Sequence, residues 1–428
     1  MKRVLCMILS ALLILSLAGC GAGSAGTGNT VVSPGGKTED LMAQITARQV
    51  AVPDDVDGGE ALTDFAVRLF RAANETDRNT LISPLSVVYA LAMTANGARG
   101  ETLAQMKDAL GMDVGGDWNE TLNALRQSLN RQEGSRLDMA NSIWFTQNSR
   151  FTPEQDFLQC NADYFGAELY RAPFDDSTLQ AINNWVKEKT HDMIPEILDR
   201  IPEEADMYLV NALAFEAEWA EPYDEYAVLE GNFTLSDGTV KDVDFLWSSE
   251  GAFLPDGNAR GFIKYYKGGR YAFAALLPDE GVRLEDYVAS LTGERLYQLL
   301  SQPKLVSVTA AVPKFEAEYA TELAVALQTL GMKDAFDRDL ADFSALGHSE
   351  NGNLYIGRVL HKTFISVGEK GTRAGAATVV EMPEATSAEP EPVPEPERVI
   401  LDRPFVYMLV DLETGAPFFI GTMLDPAA

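Results

Sequence analysis

Residues 368–389 read GEKGTRAGAATVVEMPEATSAE and carry two patterns at once. Every second residue from Thr372 to Met382 is small or apolar, whereas the charged Arg373 and Glu381 fall on the other side. This alternation is typical of a strand with one buried face. The small residues and the run that follows favour an exposed loop instead. A segment that suits both states is a candidate conformational switch.

The following segment, residues 386–398, reads TSAEPEPVPEPER. Alternating prolines remove the backbone N–H donors that a sheet needs, and the glutamates repel one another. The composition predicts an extended, solvated spacer. It lies between two strand candidates, about thirty residues before the end of the chain. A long exposed loop inside a compact domain is often functional.

Outside this loop the chain is periodic, with helices prominent in the first half and strands in the second. The helical candidates are residues 60–73, 84–96, 101–110, 118–129, 153–165, 178–190 and 321–330. The strand candidates are 137–145, 206–217, 240–247, 261–266, 271–277, 305–313 and 355–367, with a closing hairpin over 405–423 that turns at 413–415. Ser83 and Pro84 are suited to begin one of the helices. This order predicts one α+β domain over residues 60–428.

The N-terminus has the pattern of an export signal. Lys2 and Arg3 precede an apolar run that is too short to span a bilayer, and the run ends in Leu17-Ala18-Gly19-Cys20. This ending resembles the bacterial lipobox, in which the cysteine thiol is lipidated. We therefore expect a signal peptide over 1–19, a lipidated Cys20 and a flexible tether over 20–59. The alternative is an ordinary signal peptide with an incidental cysteine.

These features predict an exported, extracytoplasmic protein that is lipid-anchored to the cell membrane or cell surface, with shedding to the extracellular space left open. They do not decide which membrane face displays the domain. Once Cys6 has left with the signal and Cys20 is lipidated, only Cys160 remains, so the mature chain has no intramolecular disulfide.

The composition restricts the function. Hydrophobic residues make up 46% of the chain, which is enough for a large core. The net charge of −30 repels phosphate backbones, so we expect no nucleic-acid partner. Three histidines do not build a histidine-rich metal site, and the acidic run at 54–57 lacks calcium-loop spacing. We expect neither a metal nor a cofactor.

Six motifs occur in order along the chain: NTLISPLSVVYALAM (79–93), LVNALAFEAEW (209–219), VPKFEAEYATEL (312–323), LGMKDAFDRDLADFSAL (330–346), HKTFISVGEKGTRAGAAT (361–378) and RPFVYMLVDLETGAPFFIGTMLDP (403–426). Taken together, they resemble the serpin family over about residues 60–426. The resemblance implies an α+β serpin-like fold with large mixed β-sheets, about eight or nine helices and an exposed reactive loop over about 369–403.

The resemblance also implies a monomeric suicide-substrate inhibitor rather than an enzyme. A target serine protease attacks the loop and forms an acyl-enzyme, and the cleaved loop then enters the main sheet as a new strand. About fifteen inserted residues carry the covalently bound protease roughly 50 Å. The implied hinge residues, which are mostly small and so do not slow entry, are Glu369, Gly371, Thr372, Ala374, Ala376, Ala377 and Thr378.

The predicted position of the scissile bond depends on the end of the loop from which residues are counted. Counted sixteen residues on from Glu369, it is Ala385–Thr386, whereas counting back from the 403–405 motif gives a position near Val393. We prefer the hinge count, because the mechanism constrains the inserted length. The small residues at this bond, with no Lys or Arg between 373 and 398, predict an elastase-like target. The hinge departs from the family at two positions, with arginine at 373 for the usual Glu and glycine at 375 for the usual Ala.

Five further residues match functional positions of the family. Ser83, Ser86, Asn211 and His361 match those gathered beneath the opening sheet, and Trp219 matches the tryptophan at the breach, where the loop first enters. The alternative for the four polar residues is a helix cap plus a satisfied core histidine and asparagine.

Two other functions are each suggested by part of the sequence. A serpin-fold protein that binds without inhibiting would be expected to carry bulk, proline or charge on the inserting face, and this face has none of them. A lipoprotein enzyme is suggested by Ser301 and Lys304, which fit an S-x-x-K pattern. Pro303 breaks the helix that this pair would need, and neither S-D-N nor K-T-G occurs in the chain.

Overall fold

The structure is a computed structural model that describes residues 38–53, 58–114, 117–129, 134–147, 150–201, 206–350, 352–372 and 395–428. Within these residues there are nine α-helices: α1 (Gly59–Ala73), α2 (Pro84–Ala95), α3 (Gly100–Leu110), α4 (Asp117–Leu129), α5 (Gln155–Cys160), α6 (Asp176–Lys189), α7 (Leu284–Ser290), α8 (Gly293–Ser301) and α9 (Ala324–Thr329). Helix α5 continues into a π-helical turn, Asn161–Phe165.

The described residues also form nineteen strands in four sheets. Their bounds are β1 (Glu39–Asp40), β2 (Thr80–Ile82), β3 (Ser135–Thr146), β4 (Thr152–Pro153), β5 (Glu168–Ala172), β6 (Met207–Glu218), β7 (Val228–Thr234), β8 (Val240–Glu250), β9 (Ala252–Pro255), β10 (Ala259–Tyr265), β11 (Tyr271–Pro278), β12 (Val308–Pro313), β13 (Phe315–Glu322), β14 (Gly347–His348), β15 (Arg358–Gly368), β16 (Gly371–Thr372), β17 (Glu397–Ile400), β18 (Phe405–Asp411) and β19 (Ala416–Met423).

The large sheet has seven strands in the order β1-β5-β3-β6-β16-β15-β13. A six-stranded sheet (β2-β19-β18-β11-β10-β9), a four-stranded sheet (β17-β12-β8-β7) and the pair β14-β4 complete the fold. The large sheet is mixed, because β6 pairs with β3 antiparallel and with β15 parallel. The expected α+β architecture with large mixed sheets and eight or nine helices is confirmed.

The large sheet is buried on both faces, and β6 shows how. Its even-numbered residues Tyr208 and Val210 pack with Trp185 of α6 on one face. Its odd-numbered residues, such as Leu209 and Leu213, face the main core. This is the period of two that a strand imposes, and it accounts for the continuous apolar run from 206 to 217 in the sequence. It also places Asn211 on the face directed towards α2.

The predicted elements are largely present, with shifted ends. The closing hairpin consists of β18 and β19 and turns over residues 412–415 as expected. The helix expected over 321–330 is shorter, because β13 continues to Glu322 in antiparallel pairing with β15. Helix α2 begins as expected, since Ser83 Oγ accepts a hydrogen bond from Ser86 N at 3.4 Å and Pro84 is its first residue.

The N-terminal segment differs from the sequence prediction. A flexible tether was expected through residue 59, yet β1 pairs with the edge strand β5. Arg48 forms an ion pair with Asp163 at 2.6 Å, and Gln159 Nε2 donates to Thr46 O at 3.0 Å. Residues 38–53 are therefore held against the body by specific contacts. The contacts join residues more than a hundred positions apart, which local sequence patterns do not reveal.

Candidate functional site

The loop leaves the large sheet between β6 and β15. Gly371 pairs with Glu218 and Thr372 pairs with Ala217, while the turn at 369–370 joins them to the end of β15. The side chain of Thr372 is buried, and its hydroxyl hydrogen-bonds the Tyr266 hydroxyl. Thr372, the first residue of the predicted strand, thus already lies at the top of the sheet, together with Gly371 before it.

Position 371 requires glycine. Its φ angle is 155°, and a Cβ atom built there would lie 1.9 Å from the carbonyl oxygen of Ala217. Any side chain would push the turn away from β6. The predicted hinge residue Gly371 is therefore needed for the backbone to approach the neighbouring strand.

Trp219 fixes the turn that precedes the loop. Its Nε1 donates to Gly368 O at 2.9 Å, and its backbone N donates to Lys370 O at 2.9 Å. The indole stacks on the Tyr266 ring with the centroids 4.4 Å apart and an interplanar angle of 8°. Tyr266 therefore links the tryptophan to the buried hydroxyl of Thr372. Tyr266 directly follows β10 and was not among the site residues predicted from the sequence.

An ion pair holds the same turn on its other side. Lys314 Nζ lies 2.7 Å from Glu369 Oε1, and this contact lowers the pKa of the Glu369 carboxyl. Tyr223 N also donates to Glu369 O at 2.9 Å. Lys314 was not identified as a site residue from the sequence, although it lies within the VPKFEAEYATEL motif. The sequence does contain one indication of its role. Lys314 is a lone cation between the apolar residues Pro313 and Phe315, and a cation in such a place needs a partner of opposite charge.

The four polar residues expected beneath the sheet come together at the seam between β6 and β15. His361 and Asn211 are paired in the parallel register, with His361 Nδ1 3.1 Å from Asn211 Oδ1. Ser83 N donates to His361 Nε2 at 3.0 Å. Because Nε2 must accept, the ring proton sits on Nδ1 and is donated to Asn211. Burial lowers the pKa of His361 to about 3, so the ring is neutral at physiological pH.

Asn211 connects this histidine to two other elements. Ser86 Oγ donates to Asn211 Oδ1 at 2.6 Å, and Asn211 Nδ2 donates to Asn141 Oδ1 at 2.6 Å and to the Ser86 carbonyl. The network therefore spans β3, β6, β15 and the start of α2. The start of α2 contacts both strands, through Ser83 to His361 and through Ser86 to Asn211, and separating β6 from β15 would break the His361–Asn211 hydrogen bond. The cap at Ser83 is also present, as the alternative expected, and a gating role for these residues stays a prediction.

The remaining predicted site residues lie outside the described part of the chain. These are Ala374, Ala376, Ala377, Thr378, the proposed bond Ala385–Thr386 and the N-terminal Cys20. The described chain resumes at residue 395, and β17 pairs parallel with β12 at the edge of the four-stranded sheet. The two described ends of the loop are thus both anchored in sheets.

Two negative observations apply to the described residues alone. No group of three His, Cys, Asp or Glu side chains there is arranged to hold a metal ion. None of the described helices is both long and apolar enough to cross a membrane.

Comparison with known proteins identifies the family. A profile described as "Serpin (serine protease inhibitor)" matches residues 60–426, and the chain belongs to the serpin family. The leukocyte elastase inhibitor of Equus caballus is 32% identical over 383 residues, covering 86% of this chain and 98% of that protein.

Solved structures agree on the fold. The thermophilic serpin tengpin in its native state superposes with a TM-score of 0.85 at 45% identity, covering 91% of this chain and 99% of tengpin. Human thyroxine-binding globulin complexed with its ligand gives a TM-score of 0.76 at 24% identity, covering 86% of this chain and 98% of that protein. The second likeness concerns the fold alone.

Proposed function

We infer that this chain inhibits serine proteases by trapping the acyl-enzyme as its cleaved loop enters the large sheet. The observation that carries this proposal is the partly filled gap between β6 and β15. Gly371 and Thr372 occupy its top, and β6 and β15 pair directly only lower down, from Arg358↔Tyr208 to Lys362↔Ala212. For the rest of the loop to enter between β6 and β15, only the direct pairing from Arg358↔Tyr208 to Lys362↔Ala212 has to open.

The register at the top supports the scissile bond Ala385–Thr386. Because Thr372 pairs antiparallel with Ala217, continuing the register brings Met382 opposite Met207, the last residue of β6 at that end. Ala385 then lies three residues beyond the sheet, where a bound protease would meet its end. A bond near Val393 would leave eleven residues beyond β6, about 36 Å of slack chain. Slack of that length would remove the strain that distorts the protease.

The inserting face supports inhibition rather than simple binding. In an inserted loop that continued this register, residues 374, 376, 378, 380 and 382 would share the buried side of Thr372, and none of them is charged. Burial of an unpaired charge there would cost several kcal/mol. The alternative is a serpin-fold protein that binds a ligand or partner without trapping a protease, and it predicts cleavage without a complex.

The proposed target is an elastase-like serine protease. A shallow apolar pocket accepts Ala385 or its small neighbours, whereas a trypsin-like pocket finds no cation in the middle of the loop. The name of the leukocyte elastase inhibitor, a relative, is in keeping with this choice. Discrimination among small side chains is modest, about 1–3 kcal/mol, so several proteases are trapped with unequal efficiency.

The test mixes the mature chain with elastase and with trypsin at equal molar ratios. A complex with elastase that survives boiling in detergent is expected, and the fragment released should begin at Thr386 by mass spectrometry. The variant Ala385→Arg tests whether Ala385 is the scissile residue. It places a cation at that position, so the variant should trap trypsin. Cleavage of the loop by both proteases with no stable complex would establish the non-inhibitory alternative.

The proposal includes export and attachment to a membrane as a monomer. Its support is the order of charge, apolar run, small residues and Cys20 at the N-terminus. The producing cells should yield an N-terminal peptide that begins at Cys20 with an acyl modification. The variant Cys20→Ser should leave the membrane fraction, and retention of that variant would contradict lipid anchoring. Sedimentation in detergent measures the oligomeric state.

A further inference from the structure

The N-terminal segment joins the large sheet at the end far from the reactive loop. Glu39 pairs with Arg171, Arg171 pairs with Phe145, and Phe145 pairs with Met207. These four residues form one row across four neighbouring strands. Within β6, Met207 of this row is ten residues from Ala217, which lies beside the point where the loop leaves the sheet. Ten residues of strand span about 33 Å.

The segment is fixed there by contacts along its length. Arg171 forms an ion pair with Glu39, and Leu41 N donates to Leu169 O at 2.9 Å. Further along, Arg48 N and the Arg48 guanidinium both donate to Asp163, whose side chain is only 1% exposed. The point at which the chain reaches the body, near residue 38, is therefore defined by the fold.

The inserted loop would end at this same row. If the inserted loop continued the register of Thr372 with Ala217, Met382 would lie opposite Met207, in the row of Glu39. The gap that receives the loop is four strand positions from β1, which at about 4.8 Å per strand is about 19 Å. The acyl bond at Ala385 would thus finish at the pole of the molecule where the N-terminal segment enters.

We propose that the anchored molecule is suspended from the pole that receives the trapped protease, so that trapping carries the protease into the space between the body and the bilayer. This inference rests on the proposed inhibitory function and on attachment through Cys20. In this arrangement the loop faces away from the membrane before cleavage, and the protease moves towards the membrane after it.

The length of chain before residue 38 then sets the space available. Eighteen residues, 20–37, reach at most about 60 Å when extended. A protease of about 230 residues is about 45 Å across. Six residues reach only about 20 Å, which is less than the protease requires. Trapping at a membrane should therefore depend on tether length, whereas trapping in solution should not.

The experiment uses the mature chain from Cys20 in a Cys160→Ala background, so that Cys20 is the only thiol. Three forms are compared: the full tether, a deletion of residues 23–34, and the same deletion refilled with twelve Gly and Ser residues. Each form is either coupled through Cys20 to phosphatidylcholine vesicles that carry a maleimide lipid or left uncoupled. The measurement is the number of inhibitor molecules consumed per elastase molecule trapped.

The coupled deletion should consume at least threefold more inhibitor per protease trapped, because slowed delivery lets the ester hydrolyse. The refilled tether should restore the original ratio, and all uncoupled forms should agree. Equal trapping by the coupled deletion and the coupled full tether would overturn the inference while leaving the proposed function intact. Failure of the uncoupled full-length chain to trap elastase would overturn the proposed function, and this inference with it.

Discussion

At the scale of single residues, the hinge positions accept only side chains that fit between β6 and β15. Gly371 is required because a Cβ would collide with the Ala217 carbonyl. Thr372 fits because its hydroxyl is small and has a partner in Tyr266. Beneath them, His361 is neutral and donates to Asn211 across the seam that insertion must open. Each of these three residues is constrained by a close contact with a neighbouring part of the chain.

Under the proposed mechanism, the variant Thr372→Arg should be cleaved by the protease as a substrate without trapping it. Its side chain would enter a site that is 1% exposed, and an unpaired buried cation costs several kcal/mol. Arg373→Glu is the matched control, because the alternation predicts that residue 373 faces solvent. A gel that separates the covalent complex from the cleaved chain measures the outcome. Equal complex yields from the two variants would show that the face assignment is wrong.

His361 should make the protein less stable as the pH falls. Burial sets its folded pKa near 3, below the value of 6.5 for an unperturbed histidine. The unfolded chain therefore binds the proton first, so stability is full above pH 6.5 and is lost progressively towards pH 3. Between pH 6.5 and pH 5 the loss is about 2 kcal/mol.

Urea denaturation at several pH values measures this loss. His361→Gln, which keeps a donor and an acceptor, should remove about 2 kcal/mol of the pH dependence. His348→Gln changes an exposed histidine and serves as the control. An unaltered pH dependence in His361→Gln would contradict a neutral buried ring.

At the scale of elements, the segment over 38–53 and the turn at 369–370 are both held by contacts between distant parts of the chain. Periodicity located seven of the nine described helices and nine of the nineteen described strands, and the capping pair Ser83 and Pro84 located the start of α2. The same patterns did not reveal β1, because a two-residue polar strand has no periodicity to detect. Lys314 and Tyr266 were not identified either, since their importance comes from partners 55 and 106 residues away. Sequence patterns report local structure, whereas these contacts depend on the folded chain.

The contact between Arg48 and Asp163 should protect the N-terminal segment from trypsin. Asp163→Asn removes the buried carboxylate that accepts from Arg48, so the segment should detach more often and cleavage after Arg48 should be at least tenfold faster. Glu350→Gln is the control, because it removes the exposed ion pair with Arg150 elsewhere on the surface. Mass spectrometry of early digestion products measures the rates. Equal rates in the two variants would argue against specific docking.

At the scale of the whole molecule, the native sheet is incomplete. Direct pairing of β6 with β15 is confined to the lower end, and the hinge occupies the top. A full strand in this gap would gain ladder hydrogen bonds on both sides and bury its apolar face. Under the proposed mechanism, the native arrangement retains free energy that cleavage of the loop releases.

Cleavage of the loop should consequently raise the melting temperature, by about 10 °C or more for a domain of this size. The comparison is a thermal scan before and after nicking by a protease that cuts the loop without being trapped. The Thr372→Arg variant, nicked in the same way, should show little increase. A nicked native chain that melts at or below the original temperature would favour the non-inhibitory alternative.

The fluorescence of Trp219 should report the entry of the loop into the sheet. The indole stacks on Tyr266, lies 5.4 Å from the Lys264 ammonium and donates its N–H to Gly368, directly before the hinge. Indole emission responds to nearby charge and hydrogen bonding, so it should change in wavelength as residues beyond 372 enter the sheet. The chain has five tryptophans, and the difference between the native chain and Trp219→Phe isolates this one. Stopped-flow fluorescence could then follow a single trapping event in real time without an attached label.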